Sequence, residues 1–183
     1  NPEIDFDPVA KYGGVGPFTS WGSETMSKPY IVVLQHPVTT EYDDARSQVE
    51  KTLAAIKRTG APTMWFWPNL DAGSDMISTG IRHFRENNSS APEQFFINMS
   101  PSDFMKVVNK SACIVGNSSV AIRECSYLGV PAVNIGTRQE GRLRGWNVTD
   151  VGYDTEIIYS AISSIFARIT VDANGETMEG DFS

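Results

Sequence analysis

Residues 113–125 read CIVGNSSVAIREC, and this stretch decides the fold. Cys113 to Val115 form a short apolar run, Gly116 and Asn117 interrupt it, and Ser118 and Ser119 stand where a helix begins. A buried strand that ends in small polar residues and passes at once into a helix is the core of a strand–turn–helix unit. Stepping about 100° per residue from Ser119 puts Val120, Ala121, Cys125 and Leu128 on one apolar stripe, with Glu124 inside it. An isolated buried carboxylate is costly, so Glu124 must be paired or must face a cleft that holds a polar ligand.

Working outward, the same unit recurs. YIVVLQ (30–35) reads as a buried strand, and Tyr42, Ala45, Val49, Leu53 and Ile56 then mark a helical stripe. TMWFW (63–67) is a second strand, followed by a helix from about Ser74 to Glu86 that carries Met76, Ile77, Ile81 and Phe84. QFFIN (94–98) is a third, and Phe104, Val107 and Val108 mark a short helix capped by Ser100 or Ser102. PAVNIG (131–136), a weaker strand near Val148 to Val151, and a helix on Ile157, Ile158, Ala161, Ile162 and Ile165 complete the pattern. Such alternation predicts an α/β fold with three layers, a Rossmann-like parallel sheet covered on both faces.

Residues 1–29 carry Pro2, Pro8, Gly13, Gly14, Gly16, Pro17 and Gly22 without a sustained period and read as a linker or docking segment. Residues 30–170 read as the folded domain and 171–183 as a flexible tail. YGGVG (12–16) follows no apolar strand and reads as a plain loop. The chain starts without Met, in a polar lead that reads as the continuation of an upstream segment.

With 183 residues, 40% of them hydrophobic and including four Trp and nine Phe, the chain can core one domain. A net charge of -7 without clustered Lys or Arg argues against a nucleic-acid surface. No apolar run reaches the roughly 18 residues of a membrane span, and no basic-then-apolar leader opens the chain. Cys113 and Cys125 read as core thiols rather than a disulfide, which fits a reducing cytoplasm.

In an open parallel sheet, ligands lie outside the carboxyl ends of the strands. Four loops there are polar: QHPVTT (35–40), PNLDAGS (68–74), GNSS (116–119) and GTRQEGR (136–142). The GNSS loop opens a helix, so its N–H groups and the Ser118 and Ser119 hydroxyls can converge on a phosphate. Each feature has a plainer reading. Serines at a helix start are ordinary caps, His36 can simply end a strand, Asn69 and Asp71 are turn formers, and Arg138 and Arg142 can be surface charges. Only the convergence of all four loops on one sheet edge favours a site. Glu124, one and a half turns into the helix, can then accept from a ribose diol, and Arg138 can supply charge for phosphates.

Taken together, LQHPVTTEYDDA, PNLDAGS and GNSSVAIRECSYLGVPAVNIGTRQEGR resemble the hydrolysing UDP-N-acetylglucosamine 2-epimerases of sialic-acid synthesis over about residues 28–165. The resemblance implies a glycosyltransferase-B-like pair of Rossmann domains with the active site between them, this chain being the C-terminal, UDP-binding half. Non-hydrolysing relatives carry an Arg beside the motif histidine and a Gly pair in the phosphate loop, whereas this chain has Pro37 and Ser119. By resemblance, His36 is the active-site histidine near the diphosphate, Asn69 a UDP contact, Ser118 and Ser119 phosphate ligands, Glu124 the ribose acid and Arg138 a diphosphate contact. The uracil is met by backbone at Met99 or Ser100. The implied reaction takes UDP-GlcNAc and water to N-acetylmannosamine and UDP through 2-acetamidoglucal. It requires no metal and no cofactor beyond the UDP-sugar substrate, and its acid–base carboxylates belong to an absent N-terminal domain. A cytoplasmic, homo-oligomeric full-length protein is expected. A UDP-sugar glycosyltransferase of the same architecture, or a non-catalytic nucleotide-binding module, remain the alternatives.

Overall fold

Largely buried runs of four residues set the strands β1 Ile31–Leu34, β2 Thr63–Phe66, β3 Glu93–Phe96, β4 Cys113–Gly116 and β5 Ala132–Ile135, mostly apolar but with Glu93, Gln94 and Asn134 among them, and β6 Val148–Val151 lies at the edge. In the computed structural model of the protein, which describes residues 6–14, 21, 27–68, 74–88, 93–171 and 177–178, these six pair in parallel in the order β3-β2-β1-β4-β5-β6. The expected doubly covered parallel sheet is therefore present. A small antiparallel pair, β7 Thr170–Val171 and β8 Thr177–Met178, follows it.

Side chains alternate across each strand, so β1 sends Ile31 and Val33 to one face and Val32 to the other. On the first face lie α2 (Ala45–Thr59), α3 (Ser74–Asn87) and α7 (Thr155–Arg168). Their stripes Val49, Leu53 and Ile56, then Ile77 and Ile81, then Ile158, Ile162 and Ile165 close over Trp65 and Phe95. Each side chain fully buried in this way contributes about 1.5–3 kcal/mol. Gly60, left-handed at φ 65°, ends α2 by donating its N–H to the Lys57 carbonyl. Asp154 starts α7 by accepting the Ile157 N–H at 2.9 Å.

The second face is covered by α4 (Pro101–Lys110), α5 (Ser119–Ile122) and α6 (Glu124–Leu128). It buries Val32, Met64, Phe96, Val107, Val108, Ile114, Ala121 and Cys125. Part of the lead segment joins it. Asp7 caps the short helix α1 (Pro8–Tyr12) and also accepts the Trp21 N–H at 2.9 Å, and the fully buried Trp21 ring meets Tyr30 edge-on at 5.5 Å. Cys113 and Cys125 are free, buried thiols, pushed up to about 12 by burial. Among the described residues no helix is long and apolar enough to cross a membrane.

Two elements differ from the pattern in the sequence. The single helix expected after β4 is broken at Arg123 (φ -91°, ψ -69°), which separates α5 from α6. The break shifts the stripe, burying Ile122 and leaving Val120 and Leu128 only half-buried. In the third strand the run ends at Phe96, and Ile97 is 82% exposed, past the last residue that pairs with β2 at this edge of the sheet.

Candidate functional site at the sheet switch point

The strand order reverses between β1 and β4, from which successive strands are laid down in opposite directions. The crevice outside the carboxyl ends of two such strands is where this topology leaves room for a ligand. Here those ends are Leu34 and Gly116, paired in register, so the residues that follow them, His36 on one side and Asn117 and Ser118 on the other, are brought together.

Gly116 makes the approach possible. Its φ of 137° is open to glycine alone, and a Cβ there would overlap the Leu34 carbonyl. The turn swings Asn117 across the crevice. Its Oδ1 accepts the His36 N–H at 2.7 Å and its Nδ2 donates to the His36 carbonyl at 2.8 Å. His36 and Asn117 are both buried, at 6% and 1% exposure.

The loop after β5 reaches the same point. Arg138 donates through Nη1 to the Asn117 carbonyl at 3.1 Å, and Gln139 donates to that same oxygen through Nε2 at 2.8 Å. This loop is held from behind by Arg144, whose guanidinium bonds the Gln139 and Arg142 carbonyls and both oxygens of Asp150 on β6. A second tie lies toward the surface: Glu41 accepts from Gln48 at 2.6 Å and from Thr137 at 2.5 Å. Tyr153 sits beside Gly136, where φ is 75° and a Cβ would overlap the phenol. Burial pushes that phenol up, and the neighbouring Glu41 carboxylate pushes it further.

Ser118 and Ser119 stand at the start of α5, within the same cluster of loops. The Ser118 hydroxyl caps the helix, accepting the Val120 N–H at 3.4 Å, a long and weak bond. Since α5 is one turn long, any affinity for an anion rests on the local N–H groups and hydroxyls more than on a macrodipole. Glu124 opens α6 immediately after the Arg123 break. Its Oε2 is shielded from solvent and has no hydrogen-bond partner among the described residues, so the acid that stood out in the sequence carries an unsatisfied acceptor.

Ser100 lies on the other side of β1, at the start of α4. Its hydroxyl accepts the Asp103 N–H at 3.3 Å, and its own N–H donates to the Tyr12 hydroxyl at 3.3 Å. Met99 precedes it, half-buried. Asn69 lies outside the described residues. Of the candidate residues, His36 and Arg138 thus meet at Asn117, Ser118 and Ser119 follow it directly, and Glu124 lies one turn beyond. Asn117, Gln139, Glu41 and Tyr12 carry contacts that the sequence reading did not assign. Only Asn117 had a signal, a carboxamide directly after the glycine of a strand end at the switch point.

Comparison with known proteins bears on the same region. The family model described as UDP-N-acetylglucosamine 2-epimerase matches residues 18–180. The polysialic acid biosynthesis protein P7 of Escherichia coli is 30% identical over 141 residues, 76% of this chain and 35% of that protein. The UDP-N-acetylglucosamine 2-epimerase of Neisseria meningitidis serogroup B is 28% identical over 152 residues, 83% of this chain and 39% of that protein. The chain therefore spans little more than a third of the length of the curated relatives it matches. In fold it is similar to the UDP-GlcNAc 2-epimerase of Methanocaldococcus jannaschii solved with UDP-GlcNAc and UDP. The TM-score is 0.58 at 12% identity, covering 82% of this chain and 40% of that one.

Proposed function

The chain belongs to the UDP-N-acetylglucosamine 2-epimerase family, and from that premise we propose that it is the UDP-holding half of a hydrolysing epimerase. The observation that carries this reading is the meeting of His36 and Arg138 on Asn117, at the mouth of the sheet's switch point and directly before Ser118 and Ser119. A diphosphate at that mouth receives the serine hydroxyls, the loop N–H groups and the Arg138 guanidinium, while the unpartnered Oε2 of Glu124 takes a ribose hydroxyl. Uracil reaches toward the backbone at Met99 or Ser100.

The chemistry follows from where charge develops. When the C2 proton of UDP-GlcNAc is removed and the bond from C1 to the diphosphate oxygen breaks, UDP departs with added negative charge and 2-acetamidoglucal remains. Water then adds, its hydroxyl to C1 and its proton to C2, giving N-acetylmannosamine. Arg138 and the serine loop stabilise the departing diphosphate, with His36 beside it. The groups that move the C2 proton lie in a second domain. Pro37 after the histidine and Ser119 in the phosphate loop support the hydrolysing branch, and the likeness to a polysialic acid biosynthesis protein supports a role in sialic-acid synthesis. Free buried thiols support a cytoplasmic setting.

Calorimetric titration of this chain with UDP, followed by incubation with UDP-GlcNAc and no acceptor, tests the reading. Weak UDP binding without turnover is expected, with free N-acetylmannosamine appearing only when a complete two-domain protein is assayed. Absence of UDP binding would overturn the reading. N-Acetylmannosamine from this chain alone would place the acid–base groups here, and transfer of sugar to an acceptor without release would make the protein a glycosyltransferase.

A further inference from the structure

We propose that Asn117 is the positioning residue of this site, fixing the His36 peptide and the Arg138 loop in working register before any nucleotide arrives. The inference rests on the UDP-sugar reading for its consequence, and on the geometry around Asn117 for its substance.

The parallel ladder between β1 and β4 ends at Leu34 and Gly116. The Asn117 N–H still reaches back to the Leu34 carbonyl at 3.2 Å, one residue past the last paired position. The Asn117 side chain then supplies the next rung. A carboxamide carries an acceptor and a donor side by side, the same pair a peptide presents, and here both are used on one residue: acceptor to the His36 N–H, donor to the His36 carbonyl. Asp in this place would set a carboxylate oxygen against the His36 carbonyl oxygen. Ser would satisfy one of the two groups at most, and Leu neither.

The main-chain carbonyl of the same residue gathers the β5 loop through Arg138 and Gln139. Gln139 is buried at 1% exposure and its Oε1 has no partner, so among the described residues the one bond its side chain makes is the one to Asn117. One residue thus holds the loops after β1, β4 and β5 to a common origin. Electrostatic catalysis draws its strength from groups that need no reorganisation when the charge forms, and a histidine carried on a doubly held peptide meets that condition.

The alternative is a buried Asn that merely stabilises a loop, and site-resolved amide hydrogen exchange on this chain separates the two. In the unliganded protein the His36 amide is expected to be protected, with added UDP changing its exchange by less than about threefold. Asn117→Ser is expected to speed His36 exchange at least tenfold while Val32 and Val33 in β1 keep their protection. In the complete two-domain protein the same substitution is expected to lower kcat at least tenfold with KM within threefold. Gln139→Leu removes one of the two bonds that gather the β5 loop on the Asn117 carbonyl and leaves that of Arg138. It is therefore expected to leave His36 protected and to weaken UDP binding as the loop loosens. Unchanged UDP affinity in this variant would overturn the anchoring of the loop by Asn117, which keeps the proposal open to test if Asn117→Ser does not fold. A His36 amide that exchanges freely until UDP is added would overturn pre-positioning, as would loss of protection throughout β1 in Asn117→Ser with kcat and KM altered alike. Failure of the unsubstituted chain to bind UDP would instead sink the functional reading, leaving the exchange data to judge Asn117 alone.

Discussion

Lys11 and Asp103, 92 residues apart, meet at 2.7 Å across the edge of the second face. The Asp103 carboxylate is buried at 3% exposure and also accepts the Tyr12 hydroxyl at 2.6 Å and the Lys106 ammonium at 3.1 Å. Through this knot the lead helix is fastened to the start of α4, beside Ser100. The bond from Lys11, followed by those from Tyr12 and Lys106, holds the Asp103 carboxyl well below the usual carboxylate range, and outweighs the opposing effect of burial.

A carboxylate held down in the folded state binds protons more readily when unfolded, so its contribution is present above the unfolded value and is lost as pH falls through the folded one. Asp103→Asn is therefore expected to lower Tm at pH 7 and to flatten the decline of Tm between about pH 4 and pH 2, the unfolded carboxylate titrating near 4. Thermal melts across that range check it. An unchanged Tm–pH curve would mean that the knot adds nothing to stability.

Glu93 predicts the opposite slope. Both its carboxyl oxygens are buried at the start of β3 and no other residue among those described bonds them, so burial pushes the group from 4.5 up to about 7, with its own backbone N–H and then the Lys57 charge opposing. The folded state then holds the proton more tightly, so stability falls as pH rises from about 4.5 to 7 and is flat beyond. A raise of this size corresponds to about 3 kcal/mol lost at high pH. Glu93→Gln is expected to raise Tm by several degrees at pH 8 and hardly at all at pH 4.5. A melt at pH 8 no higher than that of the unsubstituted chain would show that Glu93 finds a counter-charge.

Strand and helix placement is legible in this sequence because the information is local: a four-residue apolar run such as Ile31–Leu34, or a stripe such as Val49, Leu53 and Ile56, carries its period in adjacent residues. The sheet edge that gathers the loops follows from topology, so His36, Ser118 and Arg138 could be placed together. What the sequence does not carry is long-range pairing. Glu41 and Thr137 are 96 positions apart, Tyr12 and Asp103 are 91, and nothing in the composition of the lead segment marks Lys11 or Tyr12 as anchors. The break at Arg123 is hidden for a related reason, since its sequence, VAIREC, contains neither glycine nor proline.

His36 offers a kinetic test. If the imidazole assists departure of the diphosphate, its interaction is strongest in the transition state, and His36→Ala should lower kcat by about a hundredfold or more while UDP affinity changes little. Steady-state kinetics in the complete two-domain protein, with UDP titration of the same variant, check this. Equal losses in turnover and in binding would make His36 a uniform contact instead.

Glu124 is the residue whose place in the stripe first pointed to a ligand. The structure holds it at the start of α6, half-buried, with Oε2 shielded and unpartnered, and no ion pair to it is among those of the described residues. Removing its charge therefore breaks no ion pair among the described residues. If Glu124 accepts from the ribose diol, Glu124→Gln keeps the shape but weakens that acceptance, and UDP affinity should fall by about 1.5–3 kcal/mol, the range for a hydrogen bond to a charged group. Stability of the unliganded chain should hold or rise, because a partly desolvated carboxylate has been neutralised. Titration with UDP and with uracil-free ribose 5-phosphate, alongside a thermal melt, reads both effects on one variant. Unchanged affinity for both ligands together with a lower Tm would remove the ribose assignment and make the shielded oxygen a structural acceptor.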